Sequence, residues 1–180
     1  SPEAAVGNGI GFIARDRRDA LIADQSVAVN IVLASLPRFS PRHAFDHAAA
    51  RSEAIRQVSQ LDIRTRSNQT IVKQRRGGNQ QKVQAARWLT AATPILVLDD
   101  PNRGVDVGAG AEILQILRDL ATEGRSLLLV SSEARELIDV CNRILVMVEG
   151  RIAATFDAAA TSETDLMRAA VGINGSGEAA

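Results

Sequence analysis

Residues 77–106 read GGNQQKVQAARWLTAATPILVLDDPNRGVD, and this stretch decides the fold. Its residues 95–98 form an uninterrupted apolar run after Pro94, a pattern typical of a strand buried on both faces of a parallel sheet. Asp99 and Asp100 follow at the carboxyl end of that strand, which is the edge where open α/β sheets bind ligands. Two adjacent carboxylates there suit a hydrated Mg²⁺ and a water-activating base. The pattern indicates chemistry on nucleotide phosphates.

Gly77 and Gly78 open the same stretch, ahead of a helix that we predict from about Val83 to Leu89. Glycines followed by a helix N-terminus with free N–H groups can form a site for an anion. A Gly-Gly pair alone is more often only a turn. Its spacing to the acidic strand favours the anion site.

The composition describes one domain, or part of one, that can bury a substantial core, with 180 residues of which 46% are hydrophobic. The formal net charge is zero, so attraction of the whole molecule to nucleic acid is not indicated. No apolar run approaches the ~20 residues that cross a bilayer, and we expect a soluble chain. One run between Asp62 and Asp99 has no acid and predicts a solvated basic face, or alternatively a phosphate or partner contact; its bases are Arg64, Arg66, Lys73, Arg75, Arg76, Lys82 and Arg87.

The metal-binding and thiol side chains are few. Cys141 is the only cysteine, which excludes an internal disulfide and fits a reducing compartment. His43 and His47 lie four residues apart on a predicted helix and could pair on a metal, but no third ligand stands nearby. A structural role is the favoured interpretation of both histidines.

The rest of the chain alternates predicted strands and helices. Ser1 to Gly9 is a small, polar lead-in to a strand, and a charged loop begins at Arg15. Strands are predicted at 10–13, 126–130, 144–148 and 151–156, with helices at 26–36, 43–60, 107–123, 133–140 and 161–170. Gly124 is a natural helix stop, and Glu149-Gly150 is a hairpin turn.

The segments GGNQQKVQAARWL and ILVLDDPNRGVDVGA resemble the region from the signature motif to the D-loop of ABC transporter ATPase domains. These motifs are most similar to those of the second ATPase domain of fused bacterial importers for ribose, galactose and xylose. The patterns of that domain are SGGNQQK, LDEPTRGIDVGA and SSE. The resemblance covers about residues 1–170. It implies an α/β, partial P-loop NTPase fold: a mainly parallel sheet with flanking helices plus a helical subdomain.

The same resemblance implies a division of the chain. Its segments are 1–23 (Q-loop-like strand and loop), 24–76 (helical subdomain), 77–156 (catalytic-core part) and 157–180 (C-terminal helix and tail). The phosphate loop G-x-x-x-x-G-K-[ST] does not occur in this sequence. We therefore expect the N-terminal Walker A lobe to lie outside it.

The resemblance also assigns site residues. Asp99 would hold Mg²⁺ through water, Asp100 would be the catalytic base, and Ser132 would stand at the position of the switch histidine. Two further contacts are implied, one with the nucleotide bound by the opposing domain and one with the dimer interface. They would come from Arg76, Gly77, Gly78, Asn79, Gln80 and Asp106.

Three departures from the family pattern point to a weakened site. Arg15 stands where the family usually has a glutamate, so contact of this loop with metal or water is doubtful. Arg75-Arg76 replaces Leu-Ser before the glycines. Asp100 replaces a glutamate and is one methylene shorter. ATP and Mg²⁺ are the expected cofactors of the parent protein, with weak or no binding, and no activity, expected for this chain alone.

The leading interpretation is a fragment of the ATP-binding subunit of an ABC-type sugar importer, which couples ATP hydrolysis to carbohydrate transport. Its expected partners are a second ATPase domain, a transmembrane permease and, indirectly, a sugar-binding protein, at the cytoplasmic face of the cell membrane. No nucleic acid partner is expected. One alternative is a non-catalytic, degenerate ATPase domain acting as a dimerisation or regulatory module. Another, a soluble ABC ATPase of translation or DNA repair, predicts more basic charge and different D-loop wording.

Overall fold

The structure is a computed structural model that describes residues 1–16, 20–41, 44–74, 77–105 and 107–172. The chain divides into two compact units, Ser1–Val130 and Ser131–Ala180. The four segments predicted from the family resemblance are a finer division, and they remain a prediction.

A parallel sheet is the centre of the first unit. Its strands are β1 (Ile10–Ile13), β2 (Ile95–Asp99) and β3 (Ser126–Val130), in the order β1-β2-β3. Both pairings are parallel, and Ile95 lies opposite Ser126. The strands β2 and β3 are thus parallel neighbours, in agreement with the mainly parallel sheet that the family resemblance implies.

The first unit also contains helices. Their bounds are α1 (Pro2–Gly7), α2 (Val27–Val32), α3 (His47–Gln60), α4 (Gly77–Thr90) and α5 (Val107–Thr122), with 3-10 helices at Leu33–Phe39 and Val72–Gln74. The predicted stop after α5 is correct, since Gly124 adopts a φ of 91° that favours glycine.

Several predicted helix bounds were wrong. Residues 2–7 are helical because Ser1 caps the N–H of Ala4 and Pro2 suits the first turn. The helix expected over 26–36 changes to 3-10 geometry after Val32. The helix expected from His43 begins at His47, where Asp46 accepts from the N–H of Ala49 at 2.9 Å. His43 lies outside the described residues.

The sheet is buried on one face rather than both, so the expectation of a doubly buried β2 was wrong. Leu96 and Leu98 are fully buried. On the other face Phe12 is 49% exposed, Leu128 57% and Val130 50%. Since side chains alternate along a strand, the described helices cover one of the two apolar faces that the sequence supplies.

The second unit is a hairpin packed on two helices. The strands β4 (Arg143–Val148) and β5 (Arg151–Asp157) pair antiparallel, which confirms the predicted hairpin. The helices are α6 (Ala134–Val140) and α7 (Glu163–Ala170), with a 3-10 turn at Ala158–Ala160. Ile144, Ala158 and Leu166 form the core. In the described part of the chain, no helix is both long enough and apolar enough to span a bilayer.

Candidate functional site at the carboxyl edge of the sheet

Asp99 and Asp100 lie at the end of β2, as the sequence predicts. Asp100 has a φ of 42°, a left-handed backbone that aspartate tolerates better than most residues. Its backbone N–H donates to the carbonyl of Val130 at 2.7 Å, which fixes the turn against the end of β3. The Asp100 side chain is 9% exposed and that of Asp99 is 35% exposed. This turn therefore places one shielded and one more open carboxylate side by side.

Arg15 contacts both carboxylates. Its Nη2 atom lies 3.0 Å from Oδ1 of Asp99 and 3.1 Å from Oδ2 of Asp100. The sequence analysis singled out Arg15 only as a departure from a family pattern and missed this ion pair. A signal was present, because Arg15 follows β1 just as the aspartates follow β2, and parallel neighbours end at the same edge.

A metal ion held directly on both carboxylates does not fit this arrangement, whereas the predicted contact of Asp99 with Mg²⁺ through water stays a prediction. The guanidinium already lies between the two carboxylates, and a divalent cation on the same oxygens would face its positive charge at close range. Among the residues that the structure describes, no cluster of three or more potential ligand side chains is present. The hypothesis that His43 and His47 bind a metal stays untested, because His43 lies outside the residues that the structure describes.

A buried glutamine pair links α4 to the turn that carries Asp100. Nε2 of Gln81 donates to the carbonyl of Pro101, and Nε2 of Gln84 donates to Oε1 of Gln81 at 2.7 Å. Both side chains are almost fully buried. These residues hold the loop after Asp100 against the helix, and sequence reasoning assigned Gln81 and Gln84 no such role. The signal was a pair of polar residues three positions apart, on one helix face.

The signature-like residues engage their own chain. The helix α4 begins at Gly77, not near Val83, so the glycines form its first turn. Oδ1 of Asn79 accepts from the N–H of Arg64 at 2.7 Å, and Nε2 of Gln80 donates to the carbonyl of Val72 at 3.3 Å. Arg76 and Asp106, the other two predicted nucleotide contacts, lie outside the described residues.

Gly78 allows α4 and α5 to approach closely. A Cβ atom at this position would lie 2.5 Å from the Cβ of Ala109. Such a distance is a clash that only a shift of the helices relieves. Gly78 therefore has a packing role in addition to any contact with a ligand.

We expect Gly78→Ala to destabilise the chain by about 2 kcal/mol, because the added methyl group overpacks the contact between α4 and α5. Urea denaturation followed by circular dichroism measures the loss. The matched control is Gly7→Ala in α1, where a Cβ would meet no atom within 4 Å; it should leave stability unchanged or slightly raised. Equal effects of the two variants would contradict the packing role.

Ser132, the third predicted catalytic position, belongs to the second unit and is exposed. The neighbouring Ser131 Oγ donates to Oε2 of Glu136 at 2.7 Å and accepts from the N–H of Glu133 at 3.0 Å. This local network orders the start of α6. The catalytic role of Ser132 stays a prediction.

The basic run is not a uniformly solvated face, and for two of its members that interpretation was wrong. Lys82 is buried, and its Nζ lies 2.7 Å from Oε2 of Glu112 and 3.2 Å from the carbonyl of Asp62. Arg87 is buried as well, and its three hydrogen bonds go to Ala20 and Asn30. Both bases hold the helical part of the first unit together.

Ribose import ATP-binding proteins are among the known proteins to which this chain is similar. Ribose import ATP-binding protein RbsA of Bacillus subtilis (strain 168) is 38% identical over 173 residues, which are 96% of this chain and 35% of that protein. Ribose import ATP-binding protein RbsA 3 of Rubrobacter xylanophilus is 42% identical over 174 residues, 96% of this chain and 34% of that protein. This chain thus spans about a third of the length of these curated relatives. No protein-family model matches it.

Solved structures agree on the fold. The dimeric ATP-binding cassette MJ0796, in a post-hydrolysis state with ADP and Pi, superposes with a TM-score of 0.70 at 23% identity. The match covers 84% of this chain and 64% of that one. A nucleotide-free ATP-binding cassette from an ABC transporter gives a TM-score of 0.72 at 16% identity, covering 87% and 64%.

Proposed function

We propose that this chain, which is homologous to a part of the bacterial ribose import ATP-binding proteins and has the fold of an ATP-binding cassette, belongs to the ATP-binding subunit of a sugar importer. The observation that carries the proposal is an identity of 38–42% over 96% of the chain to proteins of that name. The carboxylate pair at the carboxyl edge of a parallel sheet supports it, because that edge is where such sheets bind ligands.

The whole protein would couple ATP hydrolysis to the import of a carbohydrate. It would work with a second ATPase domain, a membrane permease and, indirectly, a sugar-binding protein, at the cytoplasmic face of the membrane. The dimeric cassette structure and the import proteins among the relatives support this assignment of partners. We propose that the chain belongs to the second ATPase domain of a fused protein, because the sequence of residues 77–109 resembles the motifs of that domain.

Within this chain, Asp100 is the proposed base and the first turn of α4 is the proposed contact to the nucleotide of an opposing domain. Gly77, Gly78 and Asn79 lie at the N-terminus of a helix, where backbone N–H groups and the helix dipole favour a phosphate. Arg76, Gln80 and Asp106 complete the proposed contact, and Ser132 would stand near the reacting phosphate. The similarities do not favour the alternative of a non-catalytic regulatory module.

The uncovered face of the sheet supports the proposal that this chain is part of a longer protein. Phe12 and Leu128 stand opposite Val97 in the two pairings of the sheet, and Val130 continues the row on β3. These side chains make a continuous apolar strip on the uncovered face. Because such a strip is costly to leave in water, we infer that another segment of the protein, carrying the phosphate loop, packs there.

Sugar uptake tests the proposal. In cells that lack the gene, uptake of labelled ribose, galactose or xylose should return when the intact protein is expressed with its permease. Asp100→Asn should reduce that uptake at least tenfold, since it removes the proposed base. Asp119→Asn is the matched control, because Asp119 is an exposed carboxylate on α5. Full uptake with Asp100→Asn would instead support the non-catalytic module.

A further inference from the structure

The side chain of Arg15 is a cation that the two carboxylates share. A single nitrogen, Nη2, is 3.0 Å from Asp99 and 3.1 Å from Asp100. Arg15 reaches them across 84 positions of sequence. The contact is therefore made by the fold, at the common edge of β1 and β2, and not by local chain geometry.

The charges explain why this contact is stable. Two carboxylates held side by side repel each other, and the shielding of Asp100 from water strengthens that repulsion. The Arg15 guanidinium donates a charge-assisted hydrogen bond to Asp99 and forms an ion pair with Asp100. It offsets one of the pair's two negative charges without any ion from solution.

The same contact excludes a second cation. A divalent ion bound to Asp99 and Asp100 would approach the two oxygens that Arg15 contacts, Oδ1 of Asp99 and Oδ2 of Asp100. It would also stand beside a fixed positive charge. The arrangement is compatible with Arg15 or with a metal on this carboxylate pair, and not with both.

We propose that Arg15 is a built-in cation that replaces a divalent metal at Asp99 and Asp100, and that a metal gains this pair only when the Arg15 side chain moves away. The side chain of Arg15 is 43% exposed, so it can leave toward solvent without unfolding the sheet. Exposed ion pairs are weak enough to be exchanged. The metal chemistry rests on the proposed nucleotide function for its biological meaning, whereas the exclusion itself rests on the geometry alone.

The chain supplies a matched control for this idea. Arg135, in the second unit, also lies between two carboxylates: its Nε is 3.3 Å from Asp139 and its Nη1 is 3.6 Å from Glu163. Arg135→Gln removes an arginine from a carboxylate pair just as Arg15→Gln does. It does so at a place where no metal is proposed.

The experiment titrates the 180-residue chain with Mn²⁺ and follows bound metal by electron paramagnetic resonance, without nucleotide. Arg15→Gln should bind Mn²⁺ at least about tenfold more tightly than the unchanged chain, because one charge-assisted contact no longer competes. In metal-free buffer Arg15→Gln should also melt about 2–4 °C lower, and millimolar MgCl₂ should restore its melting temperature. Arg135→Gln should show neither metal effect.

Equal Mn²⁺ affinity of the unchanged chain and Arg15→Gln, including no binding by either, would overturn the proposal. So would an equal response of Arg135→Gln to MgCl₂. If Arg15→Gln does not fold, Arg15→Lys keeps the charge and should exclude Mn²⁺ as the unchanged chain does; tight Mn²⁺ binding by Arg15→Lys would overturn it. None of these measurements involves transport or ATP hydrolysis. This proposal and the proposed function can therefore fail independently of each other.

Discussion

Replacing Arg87 with methionine is expected to lower the free energy of unfolding by about 3 kcal/mol, since buried carbonyl groups lose their charged donor. Nε and Nη2 of Arg87 donate to the carbonyl and Oδ1 of Asn30 at 2.8 and 3.0 Å, and Nη1 donates to the carbonyl of Ala20 at 2.6 Å. These bonds join α4 to α2 and to Ala20. Thermal denaturation should show a melting temperature roughly 6–12 °C lower.

Burial of the Arg87 charge itself opposes folding. It lowers the pKa of Arg87 to about 10. A base whose pKa is lower in the folded state destabilises the fold fully below about pH 10, and this cost is relieved as the pH rises above that value. At neutral pH the hydrogen bonds to Asn30 and Ala20 must therefore offset a desolvation cost.

Arg38→Met is the graded control for Arg87→Met. Arg38 is exposed and donates one bond of 3.0 Å, from Nη1 to the carbonyl of Thr90. Its replacement should cost less than about 1 kcal/mol. An Arg87→Met variant as stable as the unchanged chain would mean that the desolvation of the charge cancels the value of its three bonds.

Replacing Asp100 with glutamate is expected to raise steady-state ATP hydrolysis by the intact protein about 10- to 100-fold. The added methylene moves the carboxylate of the proposed base by about 1 Å toward the position that the family's glutamate has. A misplacement of that size can cost on the order of 100-fold in rate. The same change in the isolated 180-residue chain should give no hydrolysis, because this sequence has no phosphate-loop motif. Phosphate release by the two proteins under identical conditions measures both results.

The Asp100→Glu variant needs two controls. Its left-handed backbone suits glutamate less well than aspartate, so about 1 kcal/mol of stability should be lost, and melting curves must show that the variant is folded at the assay temperature. Asp119→Glu adds a methylene on the exposed side of α5 and should leave the rate unchanged. An unaltered or lower rate with Asp100→Glu would show that the position of the base does not limit turnover.

Local sequence signals were sufficient for the elements with strong patterns. The apolar runs at 95–98 and 126–130, separated by an amphipathic helix, required parallel neighbouring strands, because a right-handed crossover leaves little choice. Gly124 and Gly150 were equally predictable as turn residues, since their backbone φ values of 91° and 77° favour glycine. The carboxylates at the end of β2 followed directly from the strand.

Helix starts and burial were less predictable. Residues 2–7 carried local helix signals that the prediction missed, namely the Ser1 cap and Pro2 in the first turn. Nothing local in residues 77–82 outweighed their glycines and polar side chains, yet this segment is helical in the structure. The two-sided burial expected for β2 was wrong because an apolar run reports what a strand can bury, not which segments are present to cover it. Leu128 and Val130 are exposed because no described segment packs on that face of the sheet.

By itself, then, the sequence determined the order of strands and helices, the parallel sheet and the placement of Asp99 and Asp100 at its edge, because each depends on periodicity and turn chemistry within a few neighbouring residues. Only the tertiary structure decided what those carboxylates contact. Arg15 and Arg87 carry the same charge and look alike in the sequence. One lies on a carboxylate pair and the other among buried carbonyls, because the fold brings partners from 84 and 57 positions away to each, and no local pattern encodes such distances.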